Sequence, residues 1–186
     1  VCFYHLVYSG RGSGLIDEAV EHNQTRSAVD TIINLTAELH RRREPIEVLT
    51  VDNHADGPHV YLRLARENPT RAQEVLELLR YNEGNSSGKG IACVSWDGAV
   101  HPDQFWRHLT VGNVRERPFG DIWTDSNNEL LMKIKDKKKY VKGRCAQCKW
   151  LGICGGNFRV RAEALTGDLW APDPACYLTD EEIGIA

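Results

Sequence analysis

The sequence predicts an α/β fold: a strand, helix and strand, followed by a small cysteine-rich domain with a β-hairpin and short helices. Three observations predict it. Apolar runs at residues 1–8 and 46–51 flank a stretch of helical period at 25–43. Asp97-Gly98, a dipeptide that favours the primed turns matching strand twist, joins two further strand-like runs. Cys145, Cys148, Cys154 and Cys176 are separated by two, five and twenty-one residues, a metal-site spacing. A chain of 186 residues that is 41% hydrophobic suits one ordinary domain or parts of two. A net charge of −3 gives no global attraction to nucleic acid or to an anionic membrane, and no apolar run reaches membrane-spanning length.

Taken in order, residues 1–8 read as a buried strand that exits through the tight turn Ser9-Gly10-Arg11-Gly12-Ser13-Gly14. A strand that opens the chain with no lead-in is expected to follow an upstream segment. The helix over 25–43 places Val29, Ile32, Ile33, Thr36 and Leu39 on one face, and Arg41, Arg42 and Arg43 meet its negative end before Pro45 stops it. The strand over 46–51 runs into the polar loop 52–58, at the strand end where α/β folds bind ligands. Helical stretches follow near 59–66 and over 69–81, then the loop Asn85-Ser86-Ser87-Gly88-Lys89-Gly90, which divides the chain into units at 1–84 and 85–186. The second unit holds the hairpin over 91–101, a helix over 126–138, the cysteine turn, and a helix over 158–165 stopped by Gly167. Pro172 and Pro174 lead the chain back to Cys176.

The first three cysteines sit on a glycine-punctuated turn that can bend around one centre, and the fourth returns to close the shell. Disulfides would require an oxidising compartment, yet no export signal is present, so a reduced cytosolic protein with a metal site is expected. Four thiolates suit zinc or an iron-sulfur cluster. Cys93 and Cys2, in apolar strand-like runs, read as buried inert thiols. The basic run from Lys133 to Arg144 reads as a solvated face or as cations that meet an anionic cluster or an acidic partner. Trp150, Phe158 and Trp170 are candidates to shield the centre, and Arg144, Lys149 and Arg159, with the amides of Gly155 and Gly156, to stabilise its charge.

Read together, the stretch 3–12 with its Ser9-Gly10-Arg11-Gly12 turn, the hairpin from Cys93 to Pro102, Gly112-Asn113-Val114, Asp121-Ile122-Trp123 and the turn Cys145-Ala-Gln-Cys148-Lys-Trp-Leu-Gly-Ile-Cys154-Gly-Gly resemble the radical SAM enzymes that carry a C-terminal SPASM extension. The stretch 47–57 is similar to the tetrapyrrole-modifying branch, nearest its heme d1 biosynthesis members. The resemblance implies that 1–84 is the last strand and helix of a radical SAM partial (β/α) barrel plus a helical linker, and that 85–186 is a SPASM-like domain. It implies one auxiliary 4Fe-4S cluster on Cys145, Cys148, Cys154 and Cys176. The thiols of a second auxiliary cluster would fall near Asn85, at Asp103 and at Phe158, where this chain has none. The Cys-x3-Cys-x2-Cys loop of the catalytic cluster is also absent, so S-adenosylmethionine and a second 4Fe-4S cluster are expected from an upstream part of the same enzyme, and this chain alone is expected to be inactive.

The implied activity is removal of propionate side chains from an iron-bound didecarboxysiroheme, with the cluster relaying an electron from a reductant such as flavodoxin or ferredoxin. Alternatives are a decarboxylase or deacetylase of the siroheme-dependent heme pathway, a peptide maturase, or, outside enzymes, a zinc-stabilised binding module. Candidate substrate contacts are His54, Asp52, Tyr8 and Arg11. A histidine flanked by carboxylates can bind metal, shuttle protons or ligate a tetrapyrrole iron, while the plain reading of residues 52–56 is a hydrogen-bonded turn. Arg11 reads equally as a carboxylate clamp or a turn stabiliser. Alternation along a strand puts Tyr4, Leu6 and Tyr8 on one face and His5 and Val7 on the other.

Overall fold

The computed structural model describes residues 1–185. Strand β1 (Cys2–Tyr4) pairs in parallel with β2 (Leu49–Val51), and the connection between them carries a 3-10 helix (Gly10–Glu18) and the long helix α1 (His22–Arg41). Two parallel strands need such a crossover, because a short turn cannot reverse the chain twice. Helix α1 starts three residues before the expected point, behind a capping box in which Glu21 and Gln24 satisfy each other's backbone amides. The expected strand over 1–8 shortens to three residues and the expected glycine turn is the 3-10 helix, with Gly10 in the left-handed region at φ 56°.

Helices α2 (Asp56–Glu67) and α3 (Pro69–Asn82) form an antiparallel pair. Helix α2 takes in Asp56-Gly57-Pro58, which the sequence reading placed in a loop. Proline is tolerated in a first turn, where its missing N–H has no intrahelical acceptor, and Asp56 favours the positive helix end. Gly57 lets the two helices close up, since a Cβ there would stand 2.7 Å from Leu79 Cδ2. Asn68 caps α3 by accepting from the Arg71 amide, with Pro69 at the first helical position.

The hairpin forms as expected: β3 (Cys93–Val94) and β4 (Ala99–His101) are antiparallel, and Gly98 turns at φ 87°. A third strand, β5 (Gly112–Asn113), adds to β4. Helices α4 (Phe119–Trp123) and α5 (Glu129–Lys135) follow, then a 3-10 turn (Lys137–Lys139), α6 (Gly143–Gln147), α7 (Leu151–Cys154), α8 (Arg159–Thr166) and α9 (Asp180–Ile183). Helix α5 is shorter than the expected 126–138, because Asn128 rather than Ser126 caps it and Asp136 breaks it into the 3-10 turn.

The largest apolar cluster joins both halves of the chain: Val29, Ala55 and Leu76 pack with Trp150, Ile153, Tyr177, Leu178 and Ile183. A second unites Val7, Trp106, Ile134, Phe158 and Val160. Between them runs a buried ion pair. Arg161 and Asp173, both fully buried, meet at 2.8 Å, and Arg161 also donates to the carbonyls of Leu6 and Asp52. Asp173 in turn accepts from the Phe158 amide. Among the described residues no helix is long and apolar enough to cross a membrane.

Candidate metal centre and adjoining pocket

Cys145 lies in α6, Cys148 ends it, Cys154 closes α7, and Cys176 stands on the return after Pro174. The backbone can double back within so few residues because Gly155 and Gly156 take φ values of 64° and 80°. The four cysteines line one small void of about 20 Å3 with Ala55, Pro58, Arg144, Trp150, Asn157, Asp173, Leu178 and Ile183. None of the six cysteines forms a disulfide. Cys2 is exposed and Cys93 half-buried, which corrects their reading as buried thiols: β1 is an edge segment three residues long and covers neither face.

Amides and cations face the sulfurs. The Trp150 amide donates to Cys148 Sγ at 3.3 Å, the Gly156 amide to Cys154 and the Leu178 amide to Cys176. Arg144 bonds the carbonyl oxygens of Cys176 and Leu178 and pairs with Asp180. Burial, reinforced by the neighbouring thiols, pushes Cys154 up to about 12 despite the Gly156 amide. Burial also takes Cys176 to about 11, against the Leu178 amide and Arg144, and raises Cys148. Cys148, Cys154 and Cys176 therefore hold their protons near neutrality, and binding a metal group exchanges protons for it. Among the described residues no three His, Cys, Asp or Glu side chains converge closely enough for a single ion, whereas all four thiols border one void.

Of the three proposed shields, only Trp150 lines the void. Phe158 faces the neighbouring pocket, and Trp170 packs on Tyr140. Arg159 is directed to the carbonyls of Leu169 and Ala171. The lysine run is mostly solvated, as expected, with one correction. Lys137 is buried and donates to Asn85 Oδ1 at 2.9 Å and to the Ser87 carbonyl, and burial lowers it to about 8.

Beside the void lies a larger cavity of about 520 Å3 at the C-terminal end of β2. Asp52, His54, Asn85, Asp103, Phe105, Ile153 and Phe158 are among its lining residues. It thus gathers the three positions at which the resemblance misses thiols. Asp103 there accepts from Ser87 Oγ and from the amides of Phe105 and Trp106. The His54 ring stacks on Phe158 with centroids 5.7 Å apart, and Phe158 meets Phe105 edge-on. Burial, followed by the charges of Lys137 and Arg161, pushes the His54 imidazole down to about 4. Burial raises Asp52, opposed by Arg161 and His5, and its backbone takes φ 69°. Asp56 also borders the cavity, with its carboxylate engaged: it pairs with His5 Nε2 at 2.9 Å and accepts from Tyr177 Oη at 2.7 Å. Burial pushes its carboxyl up, yet His5, Thr50 and Tyr177 hold it below the usual range.

The structure does not bring Tyr8 and Arg11 to this cavity. Tyr8 lines a separate cavity with Tyr4, His5 and Leu6, so the expected two-faced alternation breaks down where β1 ends at Tyr4. Arg11 is exposed at the start of the 3-10 helix. Sequence reasoning missed Asn157. At φ 57° it donates to Asn53 Oδ1 at 2.8 Å and accepts from the His54 amide at 2.9 Å, while its own amide bonds the Cys154 carbonyl. An asparagine directly after two glycines was the available signal, since asparagine tolerates the left-handed region.

Residues 86–149 match the family model described as SPASM, an iron-sulfur cluster-binding domain. The solved structure of anSMEcpe with bound AdoMet and Cp18Cys peptide superposes with a TM-score of 0.54 at 15% identity, covering 97% of this chain and 45% of that one. Fold and family match together define a class at the level of the domain: residues 86–149 carry the pattern of a SPASM iron-sulfur cluster-binding domain, and the chain shares its fold with that AdoMet-binding enzyme. The chain is 62% identical to Fe-coproporphyrin III synthase of Methanosarcina barkeri, covering 99% of this chain and 47% of the relative. It is 42% identical to pre-heme d1 synthase of Dinoroseobacter shibae, covering 98% and 45%. The chain spans about half the length of these curated relatives.

Proposed function

We propose that this chain is the auxiliary-cluster segment of a radical SAM enzyme that trims carboxylate-bearing side chains from an iron-bound tetrapyrrole. The observation that carries the reading is the set of four thiols around one void, with N–H donors and Arg144 aimed at them. Cys145, Cys148, Cys154 and Cys176 would hold one 4Fe-4S cluster. Their common void, and the match of residues 86–149 to a domain described as iron-sulfur cluster-binding, support an iron-sulfur group over zinc. Such a cluster, when bound, accepts or donates one electron at a potential set by its surroundings. The chain's own residues supply those surroundings: Trp150 and Ile183 keep water away, and amides and Arg144 offset negative charge.

The reading includes a division into 1–84, the end of a partial barrel, and 85–186, the cluster domain; the family match beginning at residue 86 supports it. S-adenosylmethionine and a second 4Fe-4S cluster are assigned to an upstream part of the same enzyme, electrons to a flavodoxin or ferredoxin, and the location to the cytoplasm. The substrate is an iron tetrapyrrole. Greater identity to Fe-coproporphyrin III synthase than to pre-heme d1 synthase favours Fe-coproporphyrin III as product, with propionate removal from didecarboxysiroheme as the second reading.

Anaerobic purification of the full-length enzyme tests the proposal. About four iron atoms per chain beyond those of the catalytic cluster, lost on Cys148→Ala, is the expected result. Stoichiometric zinc without that iron would overturn it. Mass analysis of the tetrapyrrole after turnover separates the two products.

A further inference from the structure

The protein holds seven histidines, and five are committed through their rings. His5 bonds Asp56, His22 the Pro174 carbonyl, His59 Asp30, His101 both Ser95 and the Leu109 carbonyl, and His108 Glu163. His40 lies exposed on α1. His54 is half-buried, and among the described residues its ring nitrogens make no hydrogen bond. With both ring nitrogens uncommitted to the protein, the lone pair of His54 is available to a ligand in the adjoining cavity.

Its setting says what that use is. The ring borders the 520 Å3 cavity, a volume in the range of small-molecule sites. Val60, Val75, Leu79, Ile91 and Phe105 give that cavity apolar wall suited to the flat face of a macrocycle. Phe158 backs the imidazole at an interplanar angle of 13°, and Asn157 fixes the backbone through the His54 amide, so the ring is oriented before any ligand arrives. Iron in a tetrapyrrole takes a neutral imidazole as an axial ligand, and burial holds His54 neutral across the physiological range.

We propose that His54 is the protein's axial ligand to the iron of the tetrapyrrole substrate, seating the macrocycle in the cavity formed by β2, α2, α3 and the loops at Asp103 and Phe158. Phe158 acts as a positioning residue that sets the ring plane. The inference rests on the tetrapyrrole reading of the substrate and goes further by naming the residue that holds it.

The experiment is anaerobic titration of the full-length enzyme with iron-bound didecarboxysiroheme, and in parallel with Fe-coproporphyrin III as the product, followed by absorbance and EPR. The wild type should bind with the spectrum of an imidazole-ligated iron. His54→Ala should weaken binding about tenfold or more and lose that spectrum, and added imidazole should restore it. His54→Met should shift the spectrum to that of a thioether-ligated iron. Retained auxiliary-cluster iron in both variants establishes that they are folded; loss of that cluster from both would show His54 to be a structural residue and overturn the proposal. If the wild type binds and His54→Ala keeps the same spectrum and affinity, His54 is not the ligand while the tetrapyrrole reading stands. If the wild type binds no Fe-coproporphyrin III and no iron-bound didecarboxysiroheme, both fall.

Discussion

The cysteine void and the His54 cavity lie side by side but are built in opposite ways. The void is local: residues 145–156 supply three of its four thiols, and tight glycine turns do the shaping. The cavity is assembled from segments that start at Thr50 and end at Phe158, and polar contacts over long sequence separations hold it open. A locally built site can be read from spacing, whereas one assembled at a distance depends on bonds that no spacing announces.

The comparison breaks most visibly at Cys154. Cys154→Ser should remove the auxiliary iron, measured by iron content and EPR, while thermal unfolding of the His54 side changes less. Equal loss on both sides would show that the two sites are one cooperative unit.

Next in size is Arg161→Met, which leaves Asp173 buried without its partner. A loss of about 3–5 kcal/mol is expected in denaturant unfolding, because an unpaired buried charge is costly. The effect should fall on the cavity, since Arg161 also holds the carbonyls of Leu6 and Asp52.

The third test is pH. With the folded imidazole of His54 at about 4 and the unfolded one at 6.5, both states are neutral above pH 6.5. Below it the unfolded chain takes up the proton first, so stability falls by about 1.4 kcal/mol per pH unit until the folded imidazole also protonates. His54→Gln should remove this part of the acid slope, as read from midpoints between pH 6.5 and 4. An unchanged slope would show that the imidazole is not held neutral. Asp56, lowered in the fold, contributes in the same direction at lower pH: its stabilisation is present above the unfolded carboxylate range and is lost as pH falls through the folded value.

The smallest effect is expected from Thr179→Ala. It removes the cap of α9 that seats Leu178 and Ile183 on the void, at about 1 kcal/mol, with auxiliary iron retained. Loss of the iron would mean that the wall and the thiols are not independent.

What was legible follows from the same contrast. The cysteine spacing, the Asp97-Gly98 hairpin and the Pro69 start of α3 each carry their signal within a few residues, and each appears in the fold. Lys137 did not declare itself, because six other cations surround it in the sequence and only the carbonyls of Asn85 and Ser87 select it for burial. The Arg161–Asp173 pair is hidden by a proline-bearing loop between its members, and the His54–Phe158 stack by more than half the chain. Pro58 misled in the other direction: it marks a loop in general but is at home in the first turn of α2.

Asn157 has a consequence for anyone who would transplant either site. Its side chain grips Asn53 and the His54 backbone, and its amide is fastened to the carbonyl of Cys154. A chimera that imports the cysteine turn alone, ending at Gly156, would arrive without the clamp that sets the histidine. The smallest exchangeable unit runs through Asn157 on one side and must bring Asn53 and His54 from the other.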